Sequence, residues 1–385
     1  MSFLTDPFFL AVAISHFAVD FINSFRGIVL AFLSEPLGLS NATIAVVSTV
    51  HVMLGSLMQP VFGYLSDRIG TRWIVAGGVL WMAVFLGLAV FVPGWPSIIF
   101  LVIGALGSSA VHPAGAAQAT MIGRTRLAGQ ETTAASLFSL LGNIGYFLGP
   151  IIGGILLQAY GMRGLAVIAV ISVPVAGWAF KLKNYVSTSK TSQVATREFN
   201  KPSIWILIVL ILLAALQSWS QQNMTSFIPK YLSDSGWTPS EYGVMLALFS
   251  GGSAAGVLAG GSLADKVGKW RVILFGMGSG FLPFILIPHV GLSAWLYILV
   301  SISGFLTGMP FSCIVVLSQH LFPIGMGLAS GLTMGFLFAS GALGTLISGH
   351  IADLYGFTPV FYLSAALALI GGLLGLFFRN NHSET

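Results

Sequence analysis

Residues 63–73 read GYLSDRIGTRW, and residues 261–271, 198 positions further on, read GSLADKVGKWR. Each stretch follows a long apolar run and sets glycines beside an acid and a base. A second pair, GGILLQAYG (153–161) and SGHIADLYG (348–356), lies 195 positions apart. Near-constant offsets within one chain predict two parallel structural repeats. That arrangement creates a midplane site between two halves and permits rocking about it.

The sequence around these stretches fixes the medium. Of 385 residues, 56% are hydrophobic and only 7% charged, with a mean hydropathy of +0.93; an ordinary globular chain carries roughly 25% charge. A helix needs about 20 apolar residues to cross a hydrocarbon core, and runs of that length recur near residues 8–33, 42–64, 74–92, 97–120, 133–158 and 164–181. They recur again near 203–229, 241–264, 271–288, 293–318, 324–350 and 358–378. The expected fold is therefore an all-α membrane protein, with twelve transmembrane helices in two six-helix pseudo-symmetric bundles. The long unbroken runs exclude the alternating pattern of a membrane β-barrel. The expected division is 1–181 for the first bundle, a cytoplasmic linker at 182–202, and 203–385 for the second.

The formal charge of +5 comes from basic residues lying between apolar runs, where they orient spans instead of binding nucleic acid. With the N-terminus inside, Arg68, Arg72, Arg124, Arg126, Lys181, Lys183, Lys190, Arg197, Lys201, Lys266, Lys269, Arg271 and Arg379 all fall on the cytoplasmic side. Only Arg163 and Lys230 fall outside. Both termini are expected in the cytoplasm, in a cell inner membrane. The single cysteine, Cys313, reads as a small core residue. The first apolar stretch has no basic segment before it and continues to Leu33, so it reads as a span and not as a cleaved signal.

Gly63, Leu65, Asp67, Arg68, Gly70 and Arg72 match the loop signature G-x-L-x-D-R-x-G-x-R. Gly261, Leu263, Asp265, Lys266, Gly268 and Arg271 form a partial second copy. On these residues the sequence resembles the major facilitator superfamily along its whole length. Glycines there permit close helix approach. A carboxylate near a helix N-terminus with basic partners makes a breakable cytoplasmic latch, so Gly63, Asp67, Arg68, Gly70, Arg72, Gly261, Asp265, Lys266 and Arg271 are candidate gate residues.

The fifth run contains GYFLGPIIGG, with Gly145, Gly149, Pro150, Gly153 and Gly154. It is similar to the fifth-span signature of drug/proton antiporters in that superfamily, and a generic packing seam is the alternative. A closer resemblance is to the fosmidomycin resistance protein family of exporters. It rests on ISHFAVDFINS (14–24), MQPVFGYLSD (58–67), GALGSSAVHP (104–113), SLFSLLGNIGYFLGP (136–150) and GLASGLTMGFLFASGALGTLISGHIADLYG (327–356). That family typically has an acidic residue directly after His-Pro and an arginine three positions later. Here these positions are Ala114 and Ala117, so a phosphonate-like substrate is not carried over.

Away from the ends of the runs, the charged and imidazole side chains are His16, Asp20, Arg26, His51 and His112, all in the first half, while Lys230, His350 and Asp353 of the second half stand at span ends. A charge at bilayer depth costs about 2.5–3.5 kcal/mol on insertion scales, and packing alone does not call for it. His16, Asp20, Asn23 and Gly27 fall within about 60° on a helical wheel, a narrow polar stripe suited to a central cavity. Asp20, held out of water, suits exchange of a proton in each cycle, with His16 and His112 as partners; a static Asp20–His16 pair is the alternative. Arg26 either snorkels to the outer headgroups or adds positive potential to the cavity. His51 and His112 serve the site or make interhelical hydrogen bonds. In the second half, Gln217, Gln221 and Met224 share one face of the seventh run and suit an amphipathic organic molecule; interhelical amide bonding is the alternative. Asn23, Arg26, His51, Asn143, Gln217, Gln221 and Met224 are thus candidate substrate contacts.

The expected function is proton-coupled export of small amphipathic molecules by alternating access. Export or flipping of an anionic metabolite or lysolipid, metal-ion carriage through His16, Asp20, His51 and His112, and uptake symport remain open. No nucleophile motif, phosphate loop or catalytic loop suggests an enzyme, and no segment is long enough for a sensor output domain. No cofactor or metal centre is implied. The expected partners are a small-molecule substrate, protons and the lipid bilayer, around a monomer, with no nucleic acid.

Overall fold

A computed structural model of the protein describes residues 5–126, 131–181, 204–321 and 326–383. The linker at 182–202 lies outside them. The described residues are helical throughout the hydrophobic runs and contain no strand. The first four spans are Pro7–Leu37, Asn41–Ile69, Thr71–Phe91 and Trp95–Arg126. Residues 134–179 form one 46-residue helical stretch, about 69 Å at 1.5 Å per residue, twice what a single crossing needs. It divides at Gly161 into the fifth span, Glu131–Tyr160, and the sixth, Ala166–Ala179. The eleven membrane-length stretches among the described residues therefore correspond to the twelve expected spans. The second set is Ile204–Asp234, Pro239–Val267, Lys269–His289, Ala294–Ser318, Met326–Tyr355 and Thr358–Arg379.

The turns carry the internal repeat further than the motifs do. Among the described residues, positive-φ glycines form four pairs: Gly38 with Gly236, Gly70 with Gly268, Gly94 with Gly291, and Gly161 with Gly356. Their offsets are 198, 198, 197 and 195. Gly70 and Gly268, the glycines of the two loop motifs, share φ values of 102° and 95°, a region that side chains with a Cβ rarely enter. The motif glycines thus end the second and eighth spans by the same backbone turn.

Small residues set the close helix approaches. A Cβ on Gly78 would lie 2.7 Å from the Gly107 carbonyl oxygen, which fixes the seam between third and fourth spans. In the second set, Gly252, Gly256 and Gly260 of the eighth span lie against Ser301, Phe305 and Met309 of the tenth, and Gly304 and Gly308 lie against Phe249 and Ser253. This is the four-residue spacing by which membrane helices pack backbone to backbone when lipid provides no hydrophobic drive. Pro60 and Pro310 sit just past breaks at Met58 and Met309, where each removes a helical donor.

By contacts the described residues gather into two compact units. One draws on 1–38, 50–190 and 232–247, and the other on 39–49, 191–231 and 248–385. The ionisable cluster belongs to the first and the glutamines to the second.

Candidate functional site

Asp6 opens the first span. Its carboxylate accepts hydrogen bonds from Phe8 N and Phe9 N, both at 2.9 Å, and from Arg126 Nε at 2.6 Å. Start of span one and end of span four are thereby tied at one end of the unit. Further along, Gly145 and Gly149 of the fifth span meet the backbone of the first at Phe17 and Phe21, where no Cβ fits. The antiporter-type glycines thus bring the fifth span onto the polar stripe of the first, and Gly153 continues the seam against Phe25 and Ile28.

Three helices form the cluster: the first span carries His16 and Asp20, the fourth brings His112 to Asp20, and the fifth holds His16 through Phe138. His16 Nε2 lies 3.1 Å from Asp20 Oδ2, and His112 Nε2 lies 3.2 Å from Oδ1. The side chain of Asp20 is 14% exposed and that of His16 7%. His16 Nδ1 lies 2.8 Å from the Phe138 carbonyl oxygen, and His112 Nδ1 lies 2.8 Å from that of Ser108. A carbonyl oxygen only accepts, so each Nδ1 carries the proton and donates. Both Nε2 atoms are thereby turned, by the tautomer, toward the carboxylate. The imidazole of His16 is stacked on Phe138, centroids 4.0 Å apart, and stands edge-on to His112 at 4.9 Å. Asn23 Nδ2 donates to Ser108 Oγ at 2.7 Å and reaches Asp20 Oδ1 at 3.5 Å.

This arrangement defines the available chemistry. A neutral imidazole held in this tautomer offers a bare lone pair to a carboxylate oxygen, two acceptors face to face. Each contact becomes a hydrogen bond only when a proton enters it. The cluster therefore has places for one and then a second proton, and its charge runs from −1 through 0 to +1. One ligand atom from each of His16, Asp20 and His112 also lies within 4.8 Å of the others, a spacing that suits a divalent cation. His51 is not in that group.

Arg26, His51 and Asn143 are the remaining first-half candidates. Arg26 is buried, not extended to a headgroup, with Tyr146 as its electrostatic neighbour. His51 is buried beside Leu101, and its Nδ1 has no hydrogen-bond partner among the described residues. It lines a cavity of ≈ 10 Å³ with Ile22, Met82, Leu86, Leu101 and Gly104, room for about one water. Asn143 is exposed.

In the other unit, Gln217 is buried and its Nε2 donates to the Thr307 carbonyl at 3.0 Å. Gln221 Nε2 reaches Ser253 Oγ at 3.1 Å and Thr307 Oγ1 at 3.3 Å. Gln217 thus meets the tenth span and Gln221 the eighth and tenth, and Met224 is buried on the seventh. The turn offsets show why this half has no titratable counterpart. At 198, His16, Asp20 and Asn23 correspond to Ala214, Ser218 and Gln221; at 197, His112 corresponds to Met309.

Of the loop-motif residues, Asp67, Arg68 and Lys266 are exposed. Arg68 lies over the Tyr64 ring at 5.1 Å, and Arg72 over Trp73 at 5.5 Å. Arg271 donates to the Val267 carbonyl at 3.0 Å. Gly63 lies near Pro113 and Gly261 near Ser312; the Asp265 side chain lies outside the described residues.

Sequence reasoning missed Ser108, Phe138 and Gly142, which hold the two imidazoles. Ser108 was open to detection, four residues before His112 on the same helix face. Phe138 acts through its backbone and ring, and a Cβ on Gly142 would occupy the space of the His16 imidazole. Neither leaves a polar signal.

Comparison with known proteins bears on the family and the fold. The family profile described as Major Facilitator Superfamily matches residues 12–345. The chain is 28% identical to the fosmidomycin resistance protein of Escherichia coli (strain K12), over 97% of this chain and 93% of that protein. It is 22% identical to the multi-drug resistance efflux pump PmrA of Streptococcus pneumoniae, over 85% of this chain and 84% of the relative. Among solved structures, a bacterial homolog of the human lysosomal transporter Spinster, inward-facing and occupied, superposes with a TM-score of 0.77 at 15% identity, covering 97% of each chain. The nucleoside transporter NupG gives 0.76 at 15% identity, over 97% of this chain and 99% of the other. The chain is therefore a multi-pass membrane transporter, not an enzyme, and belongs to the major facilitator superfamily.

Proposed function

We propose that this protein is a proton-coupled exporter of small amphipathic organic molecules, working by alternating access between its two six-span halves, 1–181 and 203–385. The observation that carries the reading is the placement of Asp20 between two imidazole Nε2 atoms whose tautomers are fixed by backbone carbonyls. Mid-span charge is costly, and here each proton gained or lost makes or breaks one contact to Asp20 and changes the charge of the cluster by one. Substrate binding and proton binding then compete through the charge of the cluster. Neutral contacts from Gln217 and Gln221 suit an organic substrate, and relatives named as a fosmidomycin resistance protein and a multi-drug resistance efflux pump favour export. The basic loops favour an inner-membrane orientation with both termini cytoplasmic, and the superfamily favours a monomer.

The test is flux in sealed proteoliposomes, with fosmidomycin and the fluorescent cation ethidium as probes. An imposed pH gradient is expected to drive at least one probe uphill, and a protonophore to stop it. Gradient-independent movement of both would overturn the coupling.

A second reading, divalent-cation carriage, draws on the spacing of the His16, Asp20 and His112 ligand atoms. Zinc uptake read by an enclosed fluorophore, saturable and absent with Asp20→Asn, would favour it over drug export.

A further inference from the structure

The internal repeat relates two contacts that neither the proton cluster nor the loop motifs account for. On the eleventh span, Asp353 reaches the first turn of the second. Its Oδ1 accepts from Asn41 N at 2.7 Å and its Oδ2 from Ala42 N at 2.9 Å. One turn earlier, Gly349 makes room: a Cβ there would lie 2.6 Å from Ala45 Cβ and 2.8 Å from the Asn41 carbonyl oxygen. On the fifth span, 195 positions before Gly349 and Asp353, stand Gly154 and Gln158. They meet the start of the eighth span. Gly154 lies against Pro239 and Ser240, Gln158 Oε1 accepts from Ser240 Oγ, and Gly243 lies against Pro150 and Gly154. Pro239, Ser240 and Gly243 follow Asn41, Ala42 and Ala45 by 198 positions. These are two copies of one clasp: a glycine, then one turn later a polar side chain, set against the first turn of another helix.

The copies differ in charge. The eighth span satisfies its own start, since Glu241 accepts from Thr238 N at 2.7 Å and Thr238 Oγ1 at 2.8 Å. In the second span Ser40 Oγ accepts from the Thr43 amide at 3.1 Å and pairs with the Thr43 hydroxyl at 3.0 Å. The Asn41 and Ala42 amides take their carboxylate from a helix more than 300 residues away in sequence. There it meets both unsatisfied donors and the positive end of the helix dipole.

We infer that Asp353 is a positioning residue for transport: with the neutral Gln158 copy, it forms a paired clasp that must release when the carrier opens at this end. The inference rests on the alternating-access reading. With cytoplasmic termini, this end is the outer face.

The test reads conformation directly. Cys313 is the sole cysteine, so a Cys313→Ala background accepts one reporter, Ala45→Cys, labelled by a membrane-impermeant maleimide in right-side-out vesicles. Asp353→Asn keeps the shape and one acceptor oxygen, and loss of a charged cap is expected to speed labelling about two- to thirtyfold. Asp353→Glu is expected to restore slow labelling. Gln158→Ala, in the other copy, is expected to speed labelling of the same reporter, which a local cap on the second span would not produce. Unchanged labelling in Asp353→Asn, with or without a lower Tm, would overturn the inference, and so would an effect of Asp353→Asn that Gln158→Ala does not share. Neither substrate nor pH gradient enters the measurement, so its failure leaves the proton reading standing.

Discussion

Gly142→Ala is the substitution whose outcome departs furthest from helix propensity. In a helix interior, Gly→Ala ordinarily stabilises by about 0.5–1 kcal/mol. Here the new Cβ would lie 2.6 Å from both ring nitrogens of His16, well inside contact distance. A flexible side chain would swing away, but this ring is held on every side. Phe138 stacks on its face at 4.0 Å, His112 stands against its edge, and its nitrogens engage the Phe138 carbonyl at 2.8 Å and Asp20 at 3.1 Å. Moving it breaks at least one buried hydrogen bond, at about 1–3 kcal/mol, against which the propensity gain is the smaller quantity. The variant is expected to unfold with a net loss of about 1–2 kcal/mol. It is also expected to lose gradient-driven transport more than its lowered stability explains, because His16 no longer faces Asp20. Thermal unfolding in detergent and proton-driven flux at matched protein levels measure the two effects. A raised Tm with unchanged coupling would refute the reasoning, since His16 would then be free to relocate without consequence.

Gln217→Ala and Gln221→Ala are expected to weaken probe binding about five- to hundredfold, the worth of one buried amide contact, while leaving the pH dependence of transport unchanged; a moved pH profile would contradict the division of labour between the halves. Asp67→Asn and Arg72→Ala are expected to move the conformational population toward inward-open, by about 1–3 kcal/mol if typical coupling energies apply. Cytoplasmic-side cysteine labelling reads that shift, and no change in either variant would reduce the motif to an orienting loop.

Much of the architecture was legible because bilayer thickness imposes a length on every span, and because the repeat leaves its mark on turns as well as motifs. Gly38 and Gly236, which no motif contains, mark it as plainly as Gly70 and Gly268. The His16–Asp20–Asn23 stripe was legible for the same reason, since helix periodicity places those side chains on one face. The closure of the cluster by His112 was not. The sequence reading sets His112 beside Asp20 and His51 among the substrate contacts, but helix periodicity gives no distance between spans, and it is the packing of the fourth span beside the first that brings His112 Nε2 to 3.2 Å from the carboxylate. The Asp6–Arg126 pair joins residues 120 apart, and the Asp353 cap joins residues 311 and 312 apart. Such contacts depend on helices meeting at their ends, which single-span periodicity does not encode. Arg26 shows the same limit: its place inside the first run was readable, while its burial beside Tyr146 comes from the fifth span.

The most direct test of the central claim compares two modes of transport in Asp20→Asn. The substitution removes the carboxylate from between two imidazoles while keeping its shape, and Asn23 and Ser108 remain to hold the neighbouring network. In proteoliposomes loaded with ethidium, or with whichever probe the wild-type protein moves, the variant is expected to lose accumulation driven by a pH gradient. Exchange of labelled for unlabelled probe at equal pH is expected to persist, because that half-cycle needs no net proton movement. Full gradient-driven accumulation by Asp20→Asn at wild-type expression would contradict the account, and coupling would then have to reside elsewhere in the chain.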